Sequence, residues 1–507
     1  MATASKTLRL HPLDNVRVAL VDLAAGERLE PEGIVCRRQV PAGHKVAAAA
    51  IRAGAAVVKY GQPIGVAACA IAAGDHVHTH NLGMGCFERD YAPGAEAWSA
   101  EAGAEPPEFF QGIIRPDGRA ATRNYIGVIS TVNCSASVTR MVAEEFRGEA
   151  LAAYANVDGI VPICHGLGCG MAGSGRGFDY LHDSLAGYRR HPNFAGVLLI
   201  GLGCEVMQTG AVISEEGRST HPMVQAMTIQ EWGGTRRTVQ EAVARVRAML
   251  PAADAVRREP VPAGRLILGL ECGGSDALSG ITANPALGAA VDRLVGQGGT
   301  AILGETPEIY GAEHLLTRRA VNRKVADQLI DCIRWWEEYT AQLGGEMDNN
   351  PTPGNKAGGL TTILEKSLGA VAKGGTAPLR AVYRYAEPVT ERGLVFMDTP
   401  GYDPVSITGM VAGGANILCF TTGRGSVFGC RPAPSLKLAT NTPMYRRMEE
   451  DMDLDCGPIA AGDASVEELG RALFRLILDT ASGRRTKSES LGIGNDEFVP
   501  WHIGAVM

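Results

Sequence analysis

A chain of 507 residues, 45% hydrophobic and 20% charged, is long enough for about three domains and too apolar to be disordered. Its 48 Lys and Arg against 55 Asp and Glu leave a formal charge of −7. That mild acidity argues against a nucleic-acid partner, which calls for a basic face, yet a few local cations still suffice for a small anion.

The N-terminus, MATASKTLRLHPLDN, lacks the apolar run of a secretory signal. The stretch VAAAAIRAGAAVV (46–58) is short and broken by Arg52, so no membrane span and no membrane partner are expected. A cytoplasmic location is the expectation, with the 12 cysteines mostly reduced. Over 8–90, the apolar runs VRVALVDL, VVKYG and IGVAACAI, separated by PEG, PAGH and AAGD, predict a small β-rich domain. It ends near HVHTHN (76–81), where His76, His78 and His80 alternate. On a straight strand, i and i+2 share a face about 6.6 Å apart, and i and i+4 lie about 13 Å apart. Two neighbouring imidazoles can therefore grip one ion and three cannot. His78 and His80 are the chosen ligands, with His76 structural; the competing reading is an exposed polar edge strand. Residues 91–110, aperiodic and rich in Ala, Glu, Pro and Gly, read as a linker.

From 111 to 255 strands and helices alternate. YIGVIST (125–131), GIVPI (159–163) and AGVLLIG (195–201) read as buried strands, with helices in NCSASVTRMVAEEF, FDYLHDSLAGYRR and TVQEAVARVRAML. PAADAVRREPVPAG (251–264) marks the next boundary. Residues 262–507 continue the pattern with strands RLILGL, TAILGE, GLVFMD and ANILCFTT, and helices such as PALGAAVDRLV and SVEELGRALFRLILDTAS. The fold class is α/β multi-domain, with parallel sheets covered on both faces.

Ligands of open α/β sheets bind at the carboxyl ends of strands. Four predicted strand ends carry a cysteine in a Gly- or Ser-containing loop: Cys134 (TVNCSAS), Cys169 (CHGLGCG), Cys204 (GLGCE) and Cys272 (LECGGSD). One such cysteine is usually a small buried filler. Four at one station point to thiolate ligation of iron, mononuclear or clustered, or to a reactive thiol. GCGMAG (168–173) has dinucleotide-fingerprint spacing, but the first strand-end acid, Glu205, comes too late for that use. In the last domain, Lys356 sits in NPTPGNKAGG with no helix face to decorate. Arg424, between two glycines in FTTGRGS, has the planar fork that suits a carboxylate. GRAATRNY sets Arg123 and Asn124 just before a strand. Glu313 and Lys366 read as solvated helix faces.

Together these segments resemble the altronate/galactarate dehydratase family of sugar-acid dehydratases over nearly the whole chain. HPLDNVRVAL, GHKVA, VVKYGQPIG and HVHTHN are similar to its N-terminal β-clip (SAF-like) domain. GIIRPDGRAATRNYIGVISTVNCSAS, HGLGCG and GLGCE are similar to its middle domain. ECGGSDALSGITANPALG, GETPEIYGAEHLLTRRA, TPGNKAGGLTTILEKSLGAVAKGG and MDTPGYDPVSITGMVAGGANILCFTTGRGSVFG are similar to its C-terminal domain. The resemblance implies dehydration of a hexonate or hexarate to a 2-keto-3-deoxy acid and dependence on divalent iron. It also implies a β-clip on a long linker, able to swing HVHTHN over the catalytic mouth, a middle domain that makes a homodimer, and a Rossmann-like C-terminal domain. D-altronate is the expected substrate, then galactarate or another aldonate; a sulfolactate sulfo-lyase and a non-catalytic sugar-acid sensor are the competing classes.

Dehydrating a 2,3-dihydroxy acid requires a base at C2, help for the hydroxide leaving C3, and stabilisation of the enediolate between them. The expected metal ligands are His78 and His80, joined by Cys134, Cys169, Cys204 and Cys272. The expected ion is Fe2+, with another divalent cation or an iron–sulfur cluster as alternatives. Lys356 and Arg424 are the anion-binding groups, Arg123, Asn124, Ser275 and Asp276 further substrate contacts, and His165 and Glu305 the acid/base pair.

Overall fold

The structure, a computed structural model, describes residues 5–30, 32–96, 106–213 and 223–504. In the N-terminal segment, short apolar runs broken by turns form three small antiparallel sheets, one of them just Arg28–Leu29 paired with Ile34–Val35. Thr7–Leu8, Val16–Ala19, Lys45–Ala47 and His76–Val77 make the second; Ala56–Lys59, Gln62–Ala67 and Leu82–Gly83 make the third.

The middle segment is a parallel sheet in the order Gly159–Ile163, Tyr125–Ser130, Phe194–Gly201, Val224–Thr228. Both faces are buried, which explains the continuous apolar runs. Along Phe194–Gly201, Ala195, Leu198 and Ile200 pack under helices Asn133–Glu144 and Thr235–Asp254. The alternate residues Phe194, Val197 and Leu199 pack toward helix Arg176–Arg189. That helix lies against Asp403–Ala412, so the middle and C-terminal sheets share one apolar layer.

The C-terminal sheet has seven parallel strands. Its order is Leu379–Tyr383, Gly393–Met397, Thr300–Leu303, Ile267–Cys272, Ile417–Thr422, Ser435–Ala439, Leu454–Asp455. The chain leaves Ile267–Cys272 toward one edge and returns at Ile417–Thr422 on its other side. The carboxyl ends of these two strands therefore flank the point where the winding reverses, the usual ligand crevice of such sheets.

The N-terminal domain is docked on this sheet rather than suspended from a swinging linker. Val16, Ala47, Ile64 and Val77 belong to the same apolar core as Leu270, Leu287 and Val371. Lys45 and Lys59, both buried, close on the buried Glu365 carboxylate at 2.8 and 2.9 Å. Of the expected linker 91–110, residues 91–96 lie along the C-terminal domain, with Glu96 paired to Arg318 at 2.6 Å. Residues 97–105 are outside the described residues, and Phe109–Ile114 is already a strand paired with Glu259–Pro262.

Candidate active site

The crevice begins with two loops. Gly273–Asp276 leaves the strand Ile267–Cys272, Gly423–Arg424 leaves Ile417–Thr422, and the amides of Gly423 and Arg424 donate to Gly274 O at 3.0 and 2.8 Å. Asp276 is buried and accepts from Ser279 Oγ, Thr440 Oγ1, Asn441 Nδ2 and the Leu278 amide. It fixes the loop and has no valence left for substrate, a correction to its expected role. Ser275 is likewise buried, and its carbonyl accepts from Asn355 Nδ2 at 2.8 Å.

That bond brings in the short helix Pro353–Ala357, started by a capping box between Thr352 and Asn355. A Cβ on Gly358 would lie 3.0 Å from Asp276 Cβ and 3.2 Å from Arg424 Cδ, so the helix end sits over both residues. Lys356 is half-buried and Arg424 exposed. Among the described residues no ion pair or hydrogen bond occupies either cationic head.

Above the helix stands a group of four imidazoles. The strand His76–Val77 stops early because Asn81 Oδ1 accepts from the His78 amide while Asn81 Nδ2 donates to His76 O. The chain turns, and the straight-strand spacing expected for HVHTHN does not apply. His76 lies with its ring centroid 5.3 Å from His80 and 5.5 Å from His78. His44, which nothing in GHKVA marks as a site residue, joins from the neighbouring strand edge. Its Nδ1 is 3.0 Å from His76 Nε2 and its ring centroid 4.7 Å from His78. Burial, then the neighbouring imidazoles, push His44 down to about 4 and His76 to about 3. Both are neutral at pH 7. His78 Nε2 donates to Lys356 O at 2.9 Å and its Nδ1 accepts from the Thr79 amide, so His78 clamps the helix and has no nitrogen left for a metal.

Beneath the crevice lies a buried ionic layer. Glu305, with φ of 64° in the left-handed region, accepts from Lys373 Nζ at 2.6 Å and from the Cys272 amide at 3.2 Å. A non-glycine residue held there is strain of the kind that gathers at functional sites. Lys373 Nζ also lies 2.9 Å from Cys272 Sγ, and Lys366 pairs with Glu308 at 2.5 Å. Lys366 and Glu313 were expected on solvated faces; both are buried, Glu313 against Arg89 from the chain leaving the N-terminal domain.

Among the described residues, two groups of three metal-type atoms lie within 4.8 Å of one another: Cys272, Glu305 and Glu308, and Glu271, Glu305 and Asp403. The first is already neutralised by Lys373 and Lys366 and does not fit an ion. The second fits one: both oxygens of Glu271 and Oε1 of Glu305 are buried and, among the described residues, face only each other, and three carboxylates suit a hard divalent cation. Burial and then Glu305 hold Glu271 well above the usual carboxylate range, and burial followed by Glu305 and Glu308 raises Asp403 to about 7. Lys373 keeps Glu305 ionised against its burial. Asp403 is half-buried, and a Cβ on Gly273 would fall 2.2 Å from its Oδ2, so this group opens onto the same loop that carries Asp276.

The other expected residues lie elsewhere. Arg123 and Asn124 precede their strand and so sit at its amino end, opposite the ligand edge. Arg123 is buried against Glu489 at 2.6 Å and donates to the carbonyls of Thr122, Thr480 and Arg484. Asn124 is bonded to Asp158, Asn156 and Ala253. Neither can meet substrate. His165 is on the middle sheet, and no hydrogen bond connects it with Glu305. Its Nε2 donates to Ser130 O, its Nδ1 accepts from the Leu167 amide, and burial pushes it down to about 4. It is a structural imidazole in this arrangement. Cys134, Cys169 and Cys204 are exposed on the middle domain, apart from Cys272 and from the histidines.

Three matches run along the chain. Residues 5–85 match the Altronate/galactarate dehydratase SAF domain, 112–254 the D-galactarate dehydratase/Altronate hydrolase second domain, and 263–506 the D-galactarate/Altronate dehydratase C-terminal domain. The chain belongs to the altronate/galactarate dehydratase family. It is 34% identical to Altronate dehydratase of Bacillus subtilis over 487 residues, covering 95% of this chain and 96% of that one. It is 35% identical to Galactarate dehydratase (L-threo-forming) of Escherichia coli over 512 residues, with 97% and 96% covered. A (2R)-sulfolactate sulfo-lyase subunit beta of Chromohalobacter salexigens is 33% identical but covers 77% of this chain. Membership of this family makes the protein a hydro-lyase with an N-terminal SAF domain. A metal cofactor is in keeping with the family, and the Glu271, Glu305 and Asp403 group is chemically able to hold one.

Proposed function

We propose that the protein dehydrates D-altronate to its 2-keto-3-deoxy acid in the crevice between the C-terminal sheet and the N-terminal domain. The observation that carries the reading is the pair of unoccupied cations, Lys356 and Arg424, set between a neutral imidazole group and a buried acidic group. Arg424 receives the substrate carboxylate through its fork, with Lys356 beside it. His80 is exposed at the open end of the imidazole group and takes the C2 proton, with the neutral rings of His76 and His44 packed behind it. Asp403, which binds its proton up to about pH 7, protonates the hydroxide leaving C3. Glu271 and Glu305 would hold the ion, for which Fe2+ is our choice, and the ion when bound would polarise the carboxylate end of the substrate. Asp403 would then act from the rim of that group.

Galactarate is the second reading, because the galactarate relative is as similar as the altronate one and two cations can serve two carboxylates. The SAF domain is fused to the other two domains in this chain, whereas the sulfo-lyase subunit beta aligns with 77% of it, and that fusion speaks for a sugar acid over sulfolactate. We further propose a cytoplasmic homodimer joined through the middle domains; no helix among the described residues is long and apolar enough to cross a membrane. The test is an anaerobic turnover assay with ferrous iron over altronate, galactarate, other aldonates and sulfolactate. A 2-keto-3-deoxy product from altronate is expected. Sulfite release, or no keto acid from any sugar acid, overturns the reading.

A further inference from the structure

We propose that Cys134, Cys169 and Cys204 hold a four-iron, four-sulfide cluster at the carboxyl edge of the middle sheet, a centre separate from the acidic group of the C-terminal domain. The three cysteines follow three neighbouring strands. Tyr125–Ser130 lies between Gly159–Ile163 and Phe194–Gly201, all parallel. Adjacent strands are about 4.8 Å apart, so the three ends fall within about 10 Å of one another. The loops are also tied together. Leu167 O accepts from the Asn133 amide at 3.0 Å, and Gly168 O accepts from the Met207 amide at 3.1 Å. The loop bearing Cys169 is thus bonded on one side next to Cys134 and on the other beside the loop of Cys204. Glu205, buried, accepts from the amides of Leu202 and Gly203 and from Thr131 Oγ1, which fixes the third loop to the central strand. Gly168 has φ of 99°, and a Cβ there would sit 2.4 Å from Thr131 O, so only glycine permits this approach.

The thiols themselves have an unusual placement. Free cysteine is normally among the most buried residues, as Cys36, Cys164, Cys272, Cys419, Cys430 and Cys456 are here. Cys134, Cys169 and Cys204 are exposed, unbridged and on the sheet edge where ligands bind. Cys134 is in the first turn of the 12-residue helix Asn133–Glu144, which fixes its backbone at the sheet edge. Among the described residues the three sulfurs do not all lie within 4.8 Å of one another. A single tetrahedral ion with thiolates at about 2.3 Å needs a tighter group. A cluster, whose irons stand between the thiolates, spans the wider one, and the glycine-rich run 165–175 supplies backbone amides for its sulfides. Cys164 is not a fourth ligand: it is buried with Sγ directed at Ala136 O, and burial pushes its thiol up to about 11. Three protein thiolates leave one iron open. A cavity of about 730 Å³ adjoins, with Cys169 and His165 on its wall and Arg140 and Arg176 supplying positive charge for an anionic ligand of that iron. Two ferrous and two ferric ions with four sulfides give the core its 2+ charge without another oxidant, and the three thiols release their protons to solvent.

The experiment does not read dehydration. Full-length protein is purified anaerobically, supplied with ferrous and ferric iron, sulfide and dithiothreitol, and desalted. Iron, acid-labile sulfide and the Mössbauer spectrum are then measured. Four irons and four sulfides per chain, with delocalised mixed-valence pairs, are expected. Cys134→Ser, Cys169→Ser and Cys204→Ser should each lose most of the sulfide, while Cys272→Ala, in the other domain, retains it. Wild-type protein without acid-labile sulfide, or folded triple-variant protein that keeps it, overturns the proposal. If the variants fail to fold, the wild-type spectrum alone decides. Because the readout is spectroscopic, a cluster found in an inactive protein, or activity without a cluster, tells the two proposals apart.

Discussion

Arg424 and Lys356 differ from the other cations near the crevice in what they lack. Lys45, Lys59, Lys366 and Lys373 are each paired with a buried carboxylate. If the two free heads bind the substrate anion, Arg424→Ala should lower kcat/KM about ten- to a hundredfold, the worth of one charge-assisted hydrogen bond of about 1.5–3 kcal/mol. Lys356→Ala should cost less because an ammonium is a point charge. Steady-state kinetics on altronate checks both; unchanged kcat/KM in Arg424→Ala removes it from the site. Arg123 should behave oppositely. Cutting it to Ala strands Glu489 in the interior and should cost about 3–5 kcal/mol of stability, read by denaturant unfolding, with turnover per folded molecule retained. The two arginines were separable in the sequence. Arg424 follows an apolar run and so belongs to a carboxyl end, whereas Arg123 precedes one and belongs to the amino end. Glu271 gave no such signal, since it reads as the polar end of a buried strand, and only the Glu305 carboxylate beside it marks it out.

At the scale of elements, the helix Pro353–Ala357 and the loop after it are what join the two halves of the crevice. Gly359 has φ of 97°, and a Cβ on it would sit 2.4 Å from Gly43 O on the N-terminal domain. Gly359→Ala should therefore part the domains locally. Faster hydrogen exchange around residues 43–47 and a kcat reduced at least tenfold are the expected outcomes, while the C-terminal sheet stays protected; unchanged exchange would mean the loop is not the hinge of docking. The long strands and helices of both α/β domains were legible because their apolar periods are unbroken over many residues. The imidazole group was not, because it depends on a turn made by one asparagine. The Asn81 side chain accepts from the His78 amide and donates to His76 O, and no periodicity records a side chain capping its own loop. The same applies to the strand Ser435–Ala439, whose run SLKLA holds a lysine that is buried only because Phe428 O accepts from it.

For the whole molecule, the question is what holds the N-terminal domain on the sheet as conditions change. The Lys45, Glu365 and Lys59 triad resists acid: burial opposes its ionisation, but the two lysines hold Glu365 down to about 2. The imidazoles do not. His44 and His76 have an ordinary value of 6.5, lowered to about 4 and about 3 in the docked state, first by burial. A proton therefore prefers the undocked domain. Docking is fully stable above pH 6.5, weakens as pH falls through the window from 6.5 to about 4, and levels off near 3, where the docked rings protonate too. Each ring can contribute up to about a tenfold loss of protection per pH unit, so two give up to about a hundredfold. The measurement is the protection factor of amides in residues 43–47 and 353–360, corrected for intrinsic exchange at each pH. A steep fall is expected for the native protein and a flatter one for His44→Gln with His76→Gln, whose amides carry no titrating proton. Equal slopes in the two proteins would move the acid sensitivity to other buried imidazoles such as His191, pushed down to about 3 where it bonds Ala415 O between the middle and C-terminal domains.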